Sequence, residues 1–221
     1  LIQQRLLEIP INPQQRESKK TNFIKELQSS PIALSTKLAN EQHYEVPPAF
    51  FQEIMGAYLK YSCGWFANNT TSLDISEENM LNLYIERLDI QNHQQILDLG
   101  CGWGSFTLFA ASKFPNSTFV AVSNSNDQIE FINNTAKARS LKNVKAIKQD
   151  MNNLSLDRSF DRIISIEMFE HMRNYGALLK ELRSHLQNDG KMFVHIFTHQ
   201  DHPYPYEVRG PSDWMSKYFF T

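Results

Sequence analysis

Apolar and polar positions change period in a regular order along the second half of the chain. Ile96, Leu97 and Leu99 form a short apolar run, and Ser105 to Phe114 then reads as a helix. The pattern continues with strand Thr118 to Val122, helix Asp127 to Ser140 and strand Val144 to Lys148. Strand Arg162 to Ile166, helix Tyr175 to Leu186 and strand Lys191 to Phe197 complete it. Short apolar runs bounded by turn residues are strands covered on both faces. Their alternation with helical segments predicts an α/β fold, a mostly parallel sheet with helices on both faces. Right-handed crossovers bring the carboxyl ends of the strands to one edge, where a ligand is expected.

The first half is organised differently. Residues 1–42 are polar and broken by Pro10, Pro13 and Pro31, with apolar clusters at Leu6, Leu7, Ile9 and at Phe23, Ile24, Leu27. They read as short helices lying on the domain, or as a partly mobile segment. Residues 43–92 begin with the aromatic-dense stretch HYEVPPAFFQEIMGAYLKYSCGWF, either a pocket lid reaching to about residue 66 or plain hydrophobic core. They end in a helix, Leu73 to Leu88, with Met80, Leu81, Tyr84 and Leu88 at helical spacing and Ser76 or Asp74 as N-cap. Residues 93–221 make the α/β core.

Composition narrows the function classes. A chain of 221 residues supports one main domain with a sizeable core. A net charge of −2 argues against nucleic acid as partner, and the group Arg16, Lys19, Lys20 is too small to reverse that. Two cysteines, Cys63 and Cys101, make neither a disulfide framework nor by themselves a zinc site, so a reducing cytoplasm and no metal are expected. No apolar run is long enough for a transmembrane helix. The start carries no signal-peptide pattern, and its lack of Met suggests a trimmed or partial chain.

Candidate chemistry concentrates at three strand ends. In QILDLGCGWGS, a strand ending at Asp98 runs into Gly100, Cys101, Gly102 and Gly104. Glycines there allow a sharp turn and a close approach of backbone to ligand, and the following helix turns its N-terminal amides to the same cleft. A dinucleotide loop would read GxGxxG, whereas here the third glycine comes one residue early. After the second strand, where an acidic residue commonly meets a ribose, stand Ser123 and Asn124, with Gln128 one helical turn on. Asp150 could accept from an adenine amino group and Met151 pack on its ring, or the two could cap a helix and fill core. In ISIEMFEHMRNY, a buried strand delivers Glu167, Glu170 and His171 to the sheet edge, as bases beside a cleft or as acids favoured at a helix start. His195, within KMFVHIF, is a site residue or a satisfied core histidine.

Five stretches in order, HYEVPPAFF, KYSCGWF, LDLGCGWGSF, SNSNDQ and IEMFEHMRNY, resemble the cyclopropane-fatty-acyl-phospholipid synthase superfamily, and especially its coclaurine N-methyltransferase-like branch. The resemblance spans roughly residues 40–221 and implies a Rossmann-like class I methyltransferase that uses S-adenosylmethionine (SAM). It implies SAM binding by Tyr61, Ser62, the loop from Asp98 to Gly104, Ser123, Asn124 and Gln128, with Asp150 and Met151 at the adenine. In the synthases, Cys63, Glu170 and His195 match residues that hold a bicarbonate used as base. In the coclaurine-like enzymes, Glu167, Glu170 and His171 match the groups near the amine. The synthases usually carry Gly at the position of Glu167, which tilts the expectation to methylation of a small-molecule amine. The alternatives are cyclopropanation or methylation of unsaturated fatty-acyl phospholipids, which implies contact with a lipid surface, and a non-catalytic SAM-binding fragment. Family members continue through a further aromatic-rich region, so the chain reads as a fragment or as a protein that handles its substrate differently.

Overall fold

The computed structural model describes residues 6–34, 47–67, 72–199, 202–208, 210, 213, 216 and 217. The part of the expected lid at residues 43–46 lies outside them. At the centre is a five-stranded sheet, every pairing parallel: β1 (Gln95–Leu99), β2 (Thr118–Ser123), β3 (Val144–Lys148), β4 (Phe160–Ile166) and β5 (Leu186–His195), in the order β3-β2-β1-β4-β5. Because β1 has β2 on one side and β4 on the other, the chain turns opposite ways from it. The loops that follow β1 and β4 therefore emerge side by side at the carboxyl edge.

Alternation along β1 sorts the helices. Leu97 and Leu99 face a core with Ile163 of β4 and with Leu178 and Leu182 of the helix that follows it, α6 (Tyr175–Ser184). Ile96 points the other way, into a core with Leu81, Tyr84 and Leu88 of α3 (Leu73–Leu88) and Phe106 and Phe109 of α4 (Ser105–Lys113). α5 (Asn126–Ala138) covers β2 and β3 on that same side through Ile132 and Ala136. Each such aliphatic side chain removed from water contributes about 1.5–3 kcal/mol, so the two-sided sheet anchors the domain.

Several details differ from the sequence reading. Among the described residues of the N-terminal region, Pro13–Ser29 form a 17-residue helix, α1, longer than the short helices expected there. Pro13 starts it instead of breaking it, because the Asn12 side chain caps the amides of Gln14 and Gln15. No residue of α1 is buried; Asn174 fastens its end by donating to the carbonyls of Gln28 and Ser30. The N-cap of α3 is Ser72, which accepts from the Ile75 amide, whereas Ser76 lies within the helix and donates to Leu73 O. β5 begins at Leu186, which pairs with Phe160 across an irregular register. Arg162, buried in β4, ties α3 to the sheet by donating to the carbonyls of Leu88 and Asp89 at the end of that helix.

The loop preceding α3 forms a roof. α2 (Pro48–Ile54) leads into it, and Glu77 of α3 accepts the amides of Gly56 and Tyr58 while Asp74 accepts that of Ala57. Trp65 N–H donates to Ser76 O at the far end. Held at both ends by α3, the stretch Lys60 to Cys63 is laid over the glycine turn. Phe51 seals the contact, 4.9 Å between centroids from Trp103 and edge-on to Tyr61.

Candidate active site

The turn after β1 takes the left-handed conformation three times, at Gly100 (φ 76°), Gly102 (φ 53°) and Gly104 (φ 78°). The three positions do different work. A Cβ on Gly100 would strike Met168 at 2.5 Å and one on Gly104 would strike Ile132 at 2.6 Å, so these two let protein pack on protein. A Cβ on Gly102 would meet nothing within 4 Å. Its bare backbone faces a cavity of about 350 Å³.

That cavity brings together Tyr61 and Ser62 of the roof, Asp98, Gly100, Cys101 and Gly102 of the β1 turn, and Glu167 and His171 beyond β4. Burial raises the carboxyl of Asp98 to about 6, although Thr107 Oγ1 donates to it at 2.6 Å. Burial also drives the Cys101 thiol well above its ordinary range, which makes it a wall and not a nucleophile. Ser105 Oγ, at the start of α4, is buried with no partner among the described residues. Further along the edge, Ser123 Oγ donates to Gln128 Oε1 at 2.6 Å, while Gln128 Nε2 is buried with no partner among the described residues. Asn124 is half-buried beside them. A bare glycine backbone, a helix start and two orphaned buried polar atoms are the features a polar ligand would complete.

Asp150 and Met151 have the contacts of the simpler reading. Asp150 caps a 3-10 turn through the Asn152 amide at 2.8 Å, and Met151 is buried in the core beside Leu154.

The ionisable residues after β4 divide into two groups, because Glu167 has a left-handed backbone (φ 49°) that redirects the chain. Glu167 meets Cys63 and His195: its carboxylate accepts the Cys63 amide at 3.1 Å, and Cys63 Sγ lies 3.9 Å from His195 Nε2. Glu167 thus gathers with Cys63 and His195, their ligand-type atoms within 4.8 Å of one another, a neighbour that the resemblance did not place with these two. His195 is held from behind by Tyr84, whose hydroxyl is 2.7 Å from Nδ1. Lys60, only 5% exposed, donates to Tyr84 and to Ser62, and burial lowers its ammonium to about 8. Burial likewise lowers the His195 imidazole, against the pull of Glu167. Lys60 and Tyr84 escaped the sequence reading, since Tyr84 belongs to an apolar helical stripe and lysine is ordinarily solvated. Their signal was Lys60's place directly before Tyr61 and Ser62.

Glu170 and His171 lie on a 3-10 turn that faces a second, wider cavity of about 870 Å³. Its walls include Phe23, Ile24 and Leu27 of α1 on one side and Tyr204 and Tyr206 on the other. Glu170 Oε1 accepts the Phe197 amide at 2.8 Å, and burial raises its carboxyl. His171 and Phe197 line both cavities, so the two meet there. Among the described residues, no helix is long and apolar enough to cross a membrane.

Comparison with known proteins agrees with this geometry. An (S)-coclaurine N-methyltransferase of Thalictrum flavum subsp. glaucum is 39% identical over 199 residues, 90% of this chain and 55% of the relative. A crystal structure of coclaurine N-methyltransferase bound to N-methylheliamine and SAH superposes with TM-score 0.93 at 36% identity, over 98% of this chain and 63% of that one. A cyclopropane synthase of Mycobacterium tuberculosis shares the fold, with TM-score 0.67 and 21% identity over 74% of this chain and 57% of that one. The chain spans little more than half the length of the curated relatives it matches. The fold is that of a class I SAM-dependent methyltransferase. The family model described as mycolic acid cyclopropane synthetase matches residues 34–221, and it is to this family that the chain belongs.

Proposed function

We propose that this chain carries the cofactor-binding and proton-handling part of a SAM-dependent methyltransferase whose acceptor is a small aromatic amine. The observation that carries the reading is the shared wall: His171 and Phe197 border both the glycine-turn cavity and the wide aromatic one. SAM bound in the first would supply an electrophilic methyl group on a sulfonium. Gly102, Asp98, Tyr61 and Ser62 would hold its amino-acid end, and Ser123, Asn124 and Gln128 its ribose. Asp150 and Met151 remain the residues assigned to the adenine end.

The chain's contribution is then positional and acid–base. In-line transfer needs donor and acceptor held about 3 Å apart, and a roof pinned at both ends to α3 supplies rigid walls for that. An amine in the wide cavity must be free of its proton to attack. Glu170, with one oxygen fixed by the Phe197 amide and the other without a hydrogen-bond partner among the described residues, is the base we assign, with His171 beside it to orient the nitrogen. Aromatic walls at Phe23, Tyr204 and Tyr206 suit a ring-bearing amine.

The relatives' names support an amine acceptor, since the more identical one is a coclaurine N-methyltransferase. Reaction in the cytoplasm accords with two unpaired cysteines.

The test is incubation with methyl-labelled SAM and two acceptor pools, small aromatic amines and unsaturated phospholipids, for wild type and Glu170→Ala. Label in the amines, lost in the variant, is expected. Label in the phospholipids moves the assignment to the acyl-chain chemistry. SAM binding by calorimetry with neither pool labelled leaves a cofactor-binding fragment.

A further inference from the structure

Three ligand-type atoms converge beside the cofactor cavity from three separate elements. The Sγ of Cys63, a carboxylate oxygen of Glu167 and an imidazole nitrogen of His195 all lie within 4.8 Å of one another. Cys63 comes from the roof, Glu167 from the turn after β4, and His195 from the end of β5. Each is fixed by its backbone. Cys63 N–H is donated to Glu167, Glu167 N–H to the His195 carbonyl at 2.8 Å, and Trp65, two residues after Cys63, is bonded to α3. The residue types are those of a borderline-soft cation site, and the geometry is close to one. Around a tetrahedral zinc, with bonds of about 2.0–2.3 Å, ligand atoms stand roughly 3.4–3.6 Å apart. The 3.9 Å between Sγ and Nε2 needs only a few tenths of an ångström of closure, and a turn of the Glu167 side chain can supply the rest.

We propose that Cys63, Glu167 and His195 form a site for a thiophilic divalent cation, zinc being the ion that fits, and that its occupancy blocks methyl transfer. This departs from the sequence expectation of no metal, which counted cysteines and could not see a mixed sulfur, nitrogen and oxygen set.

Two further observations support it. Tyr84 holds His195 Nδ1 at 2.7 Å, the outer-shell bond that fixes a ligating imidazole and turns its other nitrogen to the ion. Cys63 is exposed, so an ion can enter, and a fourth position stays open to water. Binding releases the Cys63 thiol proton to solvent, and thiolate and carboxylate together then balance the charge of the ion. The nearby ammonium of Lys60 opposes any cation, and the sulfur and nitrogen ligands are what select against magnesium and calcium, whose preferred ligands are oxygens alone. Since Glu167 lines the cofactor cavity, an ion held by it occupies the wall against which donor and acceptor must meet. The blocking consequence rests on the methyl-transfer reading; the binding does not.

The test uses cobalt(II) on the full chain, without SAM or acceptor, because thiolate ligation gives cobalt an intense near-ultraviolet band that oxygen and nitrogen ligands do not. Wild type is expected to develop the band at one equivalent and lose it to zinc. Cys63→Ser should abolish it, His195→Gln should weaken cobalt binding at least tenfold, and Cys101→Ala, at the buried cysteine, should keep it. Thermal unfolding of each variant checks that it is folded, and Tyr84→Phe, which keeps all three ligands, should weaken binding more modestly. No band in wild type, or a band that survives Cys63→Ser, overturns the site. A band without zinc inhibition of methyl transfer overturns the blocking claim and leaves the site.

Discussion

Glu170 and Phe197 are joined by a hydrogen bond of 2.8 Å from the Phe197 amide to Oε1, which leaves the other oxygen buried and without a hydrogen-bond partner among the described residues, on a side chain that lines the wide cavity. Burial raises the carboxyl above its ordinary range, with the negative charge of Glu167 adding to the effect and the amide bond opposing it. A base so placed is charged, and able to take a proton, only above that raised value. We expect activity to fall on the acid side at a pH higher than an ordinary carboxylate would give. Glu170→Gln should lower kcat by about 10²–10⁴-fold with SAM affinity unchanged. Steady-state rates across pH, with calorimetry for SAM, check both.

Gly102 and Gly104 should separate function from folding. Both have positive φ, so alanine at either costs about 1–2 kcal/mol of backbone strain. At Gly104 the new methyl also collides with Ile132, and the protein should lose substantially more stability. At Gly102 it enters open space, so Gly102→Ala should stay folded while SAM affinity drops at least tenfold. Thermal denaturation paired with SAM titration distinguishes the two.

Asp98 makes the apo protein less stable than it could be. Its carboxyl rises from an ordinary 3.8 to about 6 because it is buried, so ionisation disfavours the folded state. The stability it contributes is fully present below pH 3.8 and is lost as pH rises through 6. Asp98→Asn keeps an acceptor for Thr107 and removes the charge. It should stabilise the apo protein at pH 7 by up to about 3 kcal/mol, with the gain vanishing below about pH 4, while weakening SAM binding. Urea unfolding at several pH values measures the difference.

Tyr84 serves two masters, accepting from Lys60 and holding His195. Tyr84→Phe leaves a buried ammonium short of a partner and should cost about 1–3 kcal/mol. Lys60 itself titrates near 8 in the folded protein against 10.5 unfolded, so the unfolded chain holds its proton longer. Stability should therefore climb between pH 8 and 10.5, and Lys60→Met should flatten that rise. A double-mutant cycle on the two residues gives their coupling.

The sheet was legible because β1, β2 and β4 are apolar runs that end in turn residues, and the helices between them began within a residue or two of expectation. Boundaries failed where a residue has two meanings. Pro13 read as a breaker but starts α1 behind an Asn12 cap, and the polar QNDG stretch, left between the expected helix and the strand expected from Lys191, lies within β5. The spacing of Glu167 and Glu170 could place both at the sheet edge, yet not say which would face Cys63, because that depends on the backbone turn at Glu167. Lys60 was illegible for a physical reason: burying a lysine depends on Tyr84 and Ser62, which only the folded chain brings to it.

The central place of β1 also sets an order on synthesis. Made early, it gains β2 after a single intervening helix, but its other edge stays bare until Phe160–Ile166 has left the ribosome. For that interval the nascent chain presents an unpaired apolar strand, the kind of edge that invites a stray strand from another molecule. Arg162 guards the moment of closure, since a strand arriving out of register would bury its guanidinium away from the carbonyls of Leu88 and Asp89. The arginine that fastens α3 thus finds its carbonyl partners in the register that the finished sheet adopts.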